Sequence, residues 1–263
     1  MFWQILKNFA LQNLVTIGAI VLFGFVIALC NKRFYRNFGS HSAAVCYVTG
    51  AIGTPVHECS HALMCLIFGH KIVEMKLFQI GDDGTLGYVA HTYRKRNVYQ
   101  RMGNFFIGVA PIIVISAILF GFAYLLMPDM IRSLNANSNL NNAFGSFGGF
   151  FSYLWTVIKS FFIEAKTWQW WVFILIGSFL CLHSTLSRAD IASAWGGFVI
   201  VIILSLLFNI VLGFIKLEWL ELCTYHIVRA GSILVSMLLL SLFISLIAVA
   251  FSYIIRLIFF RRG

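Results

Sequence analysis

Apolar residues run through this chain in long unbroken stretches, and polar residues gather between them instead of alternating with them. Six stretches approach or exceed the ~20 mostly apolar residues that cross a ~30 Å hydrocarbon core as a helix. They are roughly 11–30, 43–69, 104–127, 169–186, 197–215 and 231–256. A closed barrel would need segments of about ten residues in strict alternation, so the pattern predicts helices. One interval departs from it. Ile72–Ile80 and Thr85–Tyr93 are short and rich in strand-forming residues, and Gly81-Asp82-Asp83-Gly84 between them is a turn signal. A β-hairpin over 71–93 is the expectation, placed after the second span. The interval 128–166 is rich in Asn, Ser and Gly from Asn135 to Gly149. Its aromatic stretch Phe147–Phe162 is expected on the membrane surface or as a short helix dipping into it.

Composition turns this pattern into a class. Apolar residues make up 60% of the 263 and charged residues 11%, whereas a soluble domain carries about a quarter charged residues. So few polar side chains do not cover a water-soluble globule, and the chain reads as an all-α polytopic membrane protein. No segment outside the apolar runs is long enough for a separate soluble domain. The chain therefore divides into a first span and loop (1–42), a core with the hairpin (43–215) and a C-terminal span (216–263). The net charge of +10 sits between apolar runs. It suits anionic lipid headgroups, not nucleic acid. Placing the hairpin and Arg261-Arg262 in the cytoplasm satisfies the positive-inside rule for most charges, though it leaves Lys32, Arg33 and Arg36 outside. The six cysteines show no Cys-x-x-Cys and read as small buried hydrophobes. The first thirty residues lack a small-x-small cleavage site and read as a retained span.

Against this apolar background His57-Glu58-Cys59-Ser60-His61 stands out. Histidines at i and i+4 share one helix face and can bind a single zinc ion. Glu58 then lies where it can take a proton from an attacking water and pass it to a leaving amine. Ionisable groups inside a span are costly and mark functional sites by default; the bland reading is that both rings hydrogen-bond neighbouring helices while Glu58 pairs with an arginine. A catalytic zinc site usually has three protein ligands. Among the remaining carboxylates only Asp190 lies in a polar break within an apolar stretch, His183-Ser-Thr-Leu-Ser-Arg-Ala-Asp190. Two readings stand for it: a third ligand, or the N3 partner of Ser187 in a capping-box variant. His183, two helical turns before it, is a candidate ligand, a transition-state hydrogen-bond donor, or a satisfied core histidine. His41, His70, His91 and His226 lie near span ends and read as interfacial.

Val56-His-Glu-Cys-Ser-His-Ala62, Gly69, Gly87-Tyr88-Val89, Asn104 to Pro111 and Asp190 together resemble the site-2 protease family of intramembrane metalloproteases. The resemblance covers roughly residues 43–215. It implies a three-span core, Zn2+ held by His57, His61 and Asp190, and Glu58 as the catalytic acid/base. Where that family commonly has Asn-x-x-Pro before its aspartate and Gly after it, this chain has His183 near the asparagine position, no proline, and Ile191.

The expected activity is hydrolysis of a peptide bond in a membrane-anchored protein or peptide. A substrate helix must unwind first, and the hairpin at Leu77, Phe78, Gly87, Tyr88 and Val89 offers a strand edge for the unwound segment; the bland reading is a surface anchor with its edge covered. The other classes are a zinc-binding membrane protein without proteolytic activity, such as a transporter or chaperone-like relative, and a zinc lipid hydrolase. Glu58 beside the histidines favours the protease, since binding alone does not need it. The expected location is a bacterial inner membrane.

Overall fold

The computed structural model describes residues 1–81, 84–129, 132 and 147–259. Helix α1 (Phe2–Asn13) passes through a π-helical turn, Leu14–Gly18, into α2 (Ala19–Arg36). A 3-10 turn leads to α3 (Ser42–Ile67), followed by strands β1 (Lys71–Lys76) and β2 (Tyr88–Thr92). Then come α4 (Val98–Leu126), α5 (Phe147–Ile163), α6 (Trp168–Leu182), α7 (Arg188–Ile215) and α8 (Leu217–Phe259).

The helical membrane class holds, but the count of six spans does not. Among the described residues four helices are long and apolar enough to cross a membrane: Phe2–Arg36, α4, α7 and α8. The stretches expected to span at 43–69 and 169–186 differ for separate reasons. Helix α3 has 26 residues, enough length, but its middle carries Thr49, Thr54, His57, Glu58, Ser60 and His61. It is too polar to face lipid all round. Helix α6 has only 15 residues, about 22 Å, because the chain turns at His183 before it reaches the full ~30 Å. The orientation built on six crossings loses its parity, and Arg261 and Arg262 lie outside the described residues. So does most of the Asn/Ser/Gly-rich interval; its aromatic end does form a helix, α5.

Polar and small residues hold the helices together, as expected where lipid gives no hydrophobic drive between them. Gln12 donates to Thr224 Oγ1 (2.7 Å) and accepts from Asn209 Nδ2 (2.8 Å), which ties α1, α7 and α8. Asn31 of α2 donates to the carbonyls of Cys181 and Leu182 (2.8 and 3.0 Å). Those are end-of-helix acceptors on α6, and the Cys181 carbonyl also accepts from Ser184 N (3.1 Å) and Oγ (2.8 Å). The closest seam joins α4 to α7. A Cβ on Gly108 would stand 2.7 Å from both Ala194 Cβ and the Asp190 carbonyl oxygen, and one on Gly197 would stand 2.5 Å from Phe105 N. The two backbones therefore touch beside the start of α7.

The hairpin forms as expected, with shorter strands. Pairing is antiparallel from Lys71↔Thr92 to Lys76↔Tyr88, with an irregularity between Ile72 and Glu74. Beyond Lys76 the arms stay joined by Gln79 N to Leu86 O (2.7 Å) and Gly81 N to Thr85 O (3.1 Å). Gly84 adopts a φ of +81°, which suits glycine, and donates to the Gly81 carbonyl at 3.0 Å. Leu77 and Phe78 thus follow β1, Gly87 precedes β2, and Tyr88 and Val89 belong to it.

Candidate metal centre

The His57–His61 pentapeptide lies in the C-terminal half of α3, just after Pro55. The i, i+4 spacing does what the helix period requires: the two Nε2 atoms stand 3.1 Å apart. The opposite ring nitrogens are both engaged. His57 Nδ1 lies 2.6 Å from the His183 carbonyl oxygen, and His61 Nδ1 lies 2.8 Å from the Ile107 carbonyl oxygen. A carbonyl only accepts, so each Nδ1 donates, and the two Nε2 atoms are left facing each other. Two lone pairs at 3.1 Å repel unless something positive lies between them. A ring that donates its second nitrogen to a backbone carbonyl is also the usual way a ligating histidine is oriented.

Asp190 completes the cluster. Its Oδ1 is 3.4 Å from His61 Nε2, and its Oδ2 is 4.0 Å from His57 Nε2. The same Oδ2 accepts from Ser187 N (2.7 Å), while Ser187 Oγ accepts from Asp190 N (3.1 Å), a full capping box at the start of α7. Cap and cluster member are thus not exclusive, because a carboxylate has two oxygens. The three ligand atoms lie within 4.8 Å of one another. Two imidazole nitrogens and a carboxylate oxygen are a donor set of the kind found at catalytic zinc sites. The α4–α7 seam brings this about: it sets Asp190 beside α4, whose Ile107 carbonyl orients His61.

Glu58, on the same helix, is 6% exposed. The hairpin closes over it. A Cβ on Gly87 would stand 2.8 Å from Glu58 Cγ, 2.9 Å from Thr54 Cγ2 and 2.9 Å from the Lys76 carbonyl oxygen. Only glycine lets the strand backbone approach the carboxylate side chain so closely.

His183 contributes through its backbone. Its ring faces hydroxyls, with Nε2 at 3.0 Å from Thr49 Oγ1 and 3.2 Å from Tyr35 OH, and Nδ1 at 3.4 Å from Thr54 Oγ1. The half-buried ring is thus engaged by hydroxyls, while the backbone carbonyl meets His57 Nδ1. Sequence reasoning missed this acceptor role, and no side-chain motif signals it. It also missed a second group, Cys65, His70 and His91, whose ligand atoms again lie within 4.8 Å. Spacings of 5 and 21 residues match no metal motif, and only the hairpin brings His91 back to the end of α3.

Residues 50–163 match a family model described as "Putative zincin peptidase". The match takes in the His57–His61 motif, the hairpin and α4, and ends before Asp190. Nothing among curated proteins or solved structures matches the chain. Zinc is the metal that family implies, and the described residues include groups able to bind it. In motif, donor set and family match, the chain is similar to zinc metallopeptidases.

Proposed function

We propose that this chain is an intramembrane zinc endopeptidase of the site-2 protease kind, hydrolysing a peptide bond in or near a membrane-spanning segment of its substrate. The observation that carries this reading is the pair of Nε2 atoms 3.1 Å apart, facing Asp190, on a helix that also buries Glu58. In this reading His57, His61 and Asp190 hold the metal. Their hydrogen bonds to His183, Ile107 and Ser187 fix them beforehand, so little ordering is left to be done on binding. Bound there, zinc supplies Lewis acidity toward the scissile carbonyl and the attacking water. Glu58 takes the proton of that water and returns it to the leaving amine. Its burial keeps bulk water away and strengthens the electrostatics of the transfer.

The hairpin supports a role in substrate presentation. Gly87 sets strand backbone against Glu58, and among the described residues each strand of the two-stranded sheet pairs on one side only. Tyr88, Val89, Leu77 and Phe78 flank this point, so an unwound segment added as a further strand would pass close to Glu58. The partner is then a membrane-anchored protein or peptide. The four apolar helices support a reaction at a bilayer, for which we propose a bacterial inner membrane.

Metal analysis of the detergent-purified chain tests the site. His57→Ala and Asp190→Ala should each lower zinc content by about one equivalent, while Glu58→Gln keeps it and loses cleavage of a reconstituted membrane-anchored substrate. Unchanged zinc in both ligand variants would remove the metal from this cluster. Turnover by Glu58→Gln would remove Glu58 from the chemistry, leaving a zinc-binding membrane protein.

A further inference from the structure

We propose a second metal site at the root of the hairpin, in which Cys65, His70 and His91 bind a zinc-class divalent ion. The three residues come from three segments: the last turn of α3, the turn that follows it, and β2. Their ligand atoms lie within 4.8 Å of one another, and the two histidine Nδ1 atoms are 3.0 Å apart. Ligands around a tetrahedral zinc stand about 3.3–3.6 Å apart, so the cluster lies within a small adjustment of that size. One thiol and two imidazoles form a donor set that zinc favours.

The surroundings orient the group as they do the first centre. His70 Nε2 lies 2.8 Å from the Gln100 carbonyl oxygen, so Nε2 carries the proton and Nδ1 turns a bare lone pair toward His91. The ring stacks on Tyr93 with centroids 5.0 Å apart and planes 19° from parallel. The loop that presents His70 is fixed on both sides. Gln100 Nε2 donates to the Gly69 carbonyl oxygen and Gln100 Oε1 accepts from Arg94 N, both at 2.7 Å. Gly69, with φ of +68°, ends α3, and His70 N donates to the Cys65 carbonyl oxygen at 2.8 Å. Cys65 and His70 are buried, at 0% and 4% exposure, and the half-buried His91 marks the solvent side.

Metal binding would release the Cys65 thiol proton to solvent and join the hairpin to α3 one helical turn beyond His61. Such a site anchors the hairpin whose far part lies against Glu58. The competing occupant of the gap is a proton, with His91 Nδ1–H donating to His70 Nδ1 beside an inert thiol.

Cobalt titration of the full chain in detergent separates the two, because the first centre contains no thiolate. The His57→Ala/His61→Ala variant should still take up about one equivalent of Co2+, with a near-ultraviolet thiolate-to-cobalt band. Adding Cys65→Ser or His91→Gln should abolish both band and uptake. In the otherwise native chain, Cys65→Ser alone should lose the band and keep one cobalt equivalent at the first centre. That single variant serves if the double variant does not fold. Absence of a thiolate band in the wild-type chain overturns the site in favour of the hydrogen-bonded histidine pair. A band that survives Cys65→Ser assigns the metal to another cysteine and overturns it equally. If the wild-type chain takes up only thiolate-bound cobalt, the first centre has failed and the second stands.

Discussion

Asp190 divides its carboxylate between two tasks, with Oδ2 capping α7 and Oδ1 facing His61. Substitutions at two positions can separate them. Ser187→Ala removes half of the capping box and should lower stability by about 0.5–2 kcal/mol, with metal retained. Asp190→Ala should lose both stability and metal. Thermal melts and metal content of the purified variants read the two effects independently; metal loss in Ser187→Ala would show that the cap is what holds the carboxylate in place. His183→Gln gives the complementary case. It keeps the carbonyl that orients His57 and disturbs only the contacts to Thr49, Tyr35 and Thr54. The melting temperature should fall while zinc stays, and zinc loss in this variant would return the ring to the list of ligands. At this scale the sequence already displays the His57, His61 and Glu58 side chains, since a helical period is all that brings them together. The backbone oxygens of Ile107 and His183 are invisible to it, because every residue has a carbonyl and only the packed fold decides which ones face an imidazole.

Among the elements, the hairpin was the most readable feature and the span count the least. Gly81 to Gly84 between two strand-like runs announces a turn whatever surrounds it. Apolar run length, by contrast, overlooks the polar middle of α3 and the turn at His183 that ends α6 after 15 residues. The hairpin's contact with Glu58 rests on Gly87. Gly87→Ala places a methyl within 2.9 Å of Thr54, Glu58 and Lys76 atoms, so the strand or the carboxylate must shift. Cleavage should fall about tenfold or more with zinc content unchanged, because the atoms nearest the new methyl belong to Glu58, Lys76 and Thr54. Equal loss of zinc and activity would mean that the hairpin supports the metal centre as a whole.

Over the whole molecule, the glycine seam between α4 and α7 sets Asp190 against His57 and His61. Gly108→Val fills the space beside Ala194 and the Asp190 carbonyl. It should cost zinc while leaving a folded helical protein, as seen by retained far-ultraviolet circular dichroism and reduced metal content. Gly121→Ala on the same helix is the control. Nothing lies within 4 Å of the added methyl, so it should keep zinc and gain about 0.5–1 kcal/mol from helix propensity. In mechanical terms the seam has no slack. Two helices separated by side chains absorb a small displacement through rotamer changes, but two backbones in contact pass it on undiminished. A shift of α7 by the width of one methyl group would reach Asp190 at full amplitude, and 3.4 Å to His61 leaves little tolerance for it. The spacing of Asp190 from the two histidines is therefore gauged by residues that carry no side chain at all.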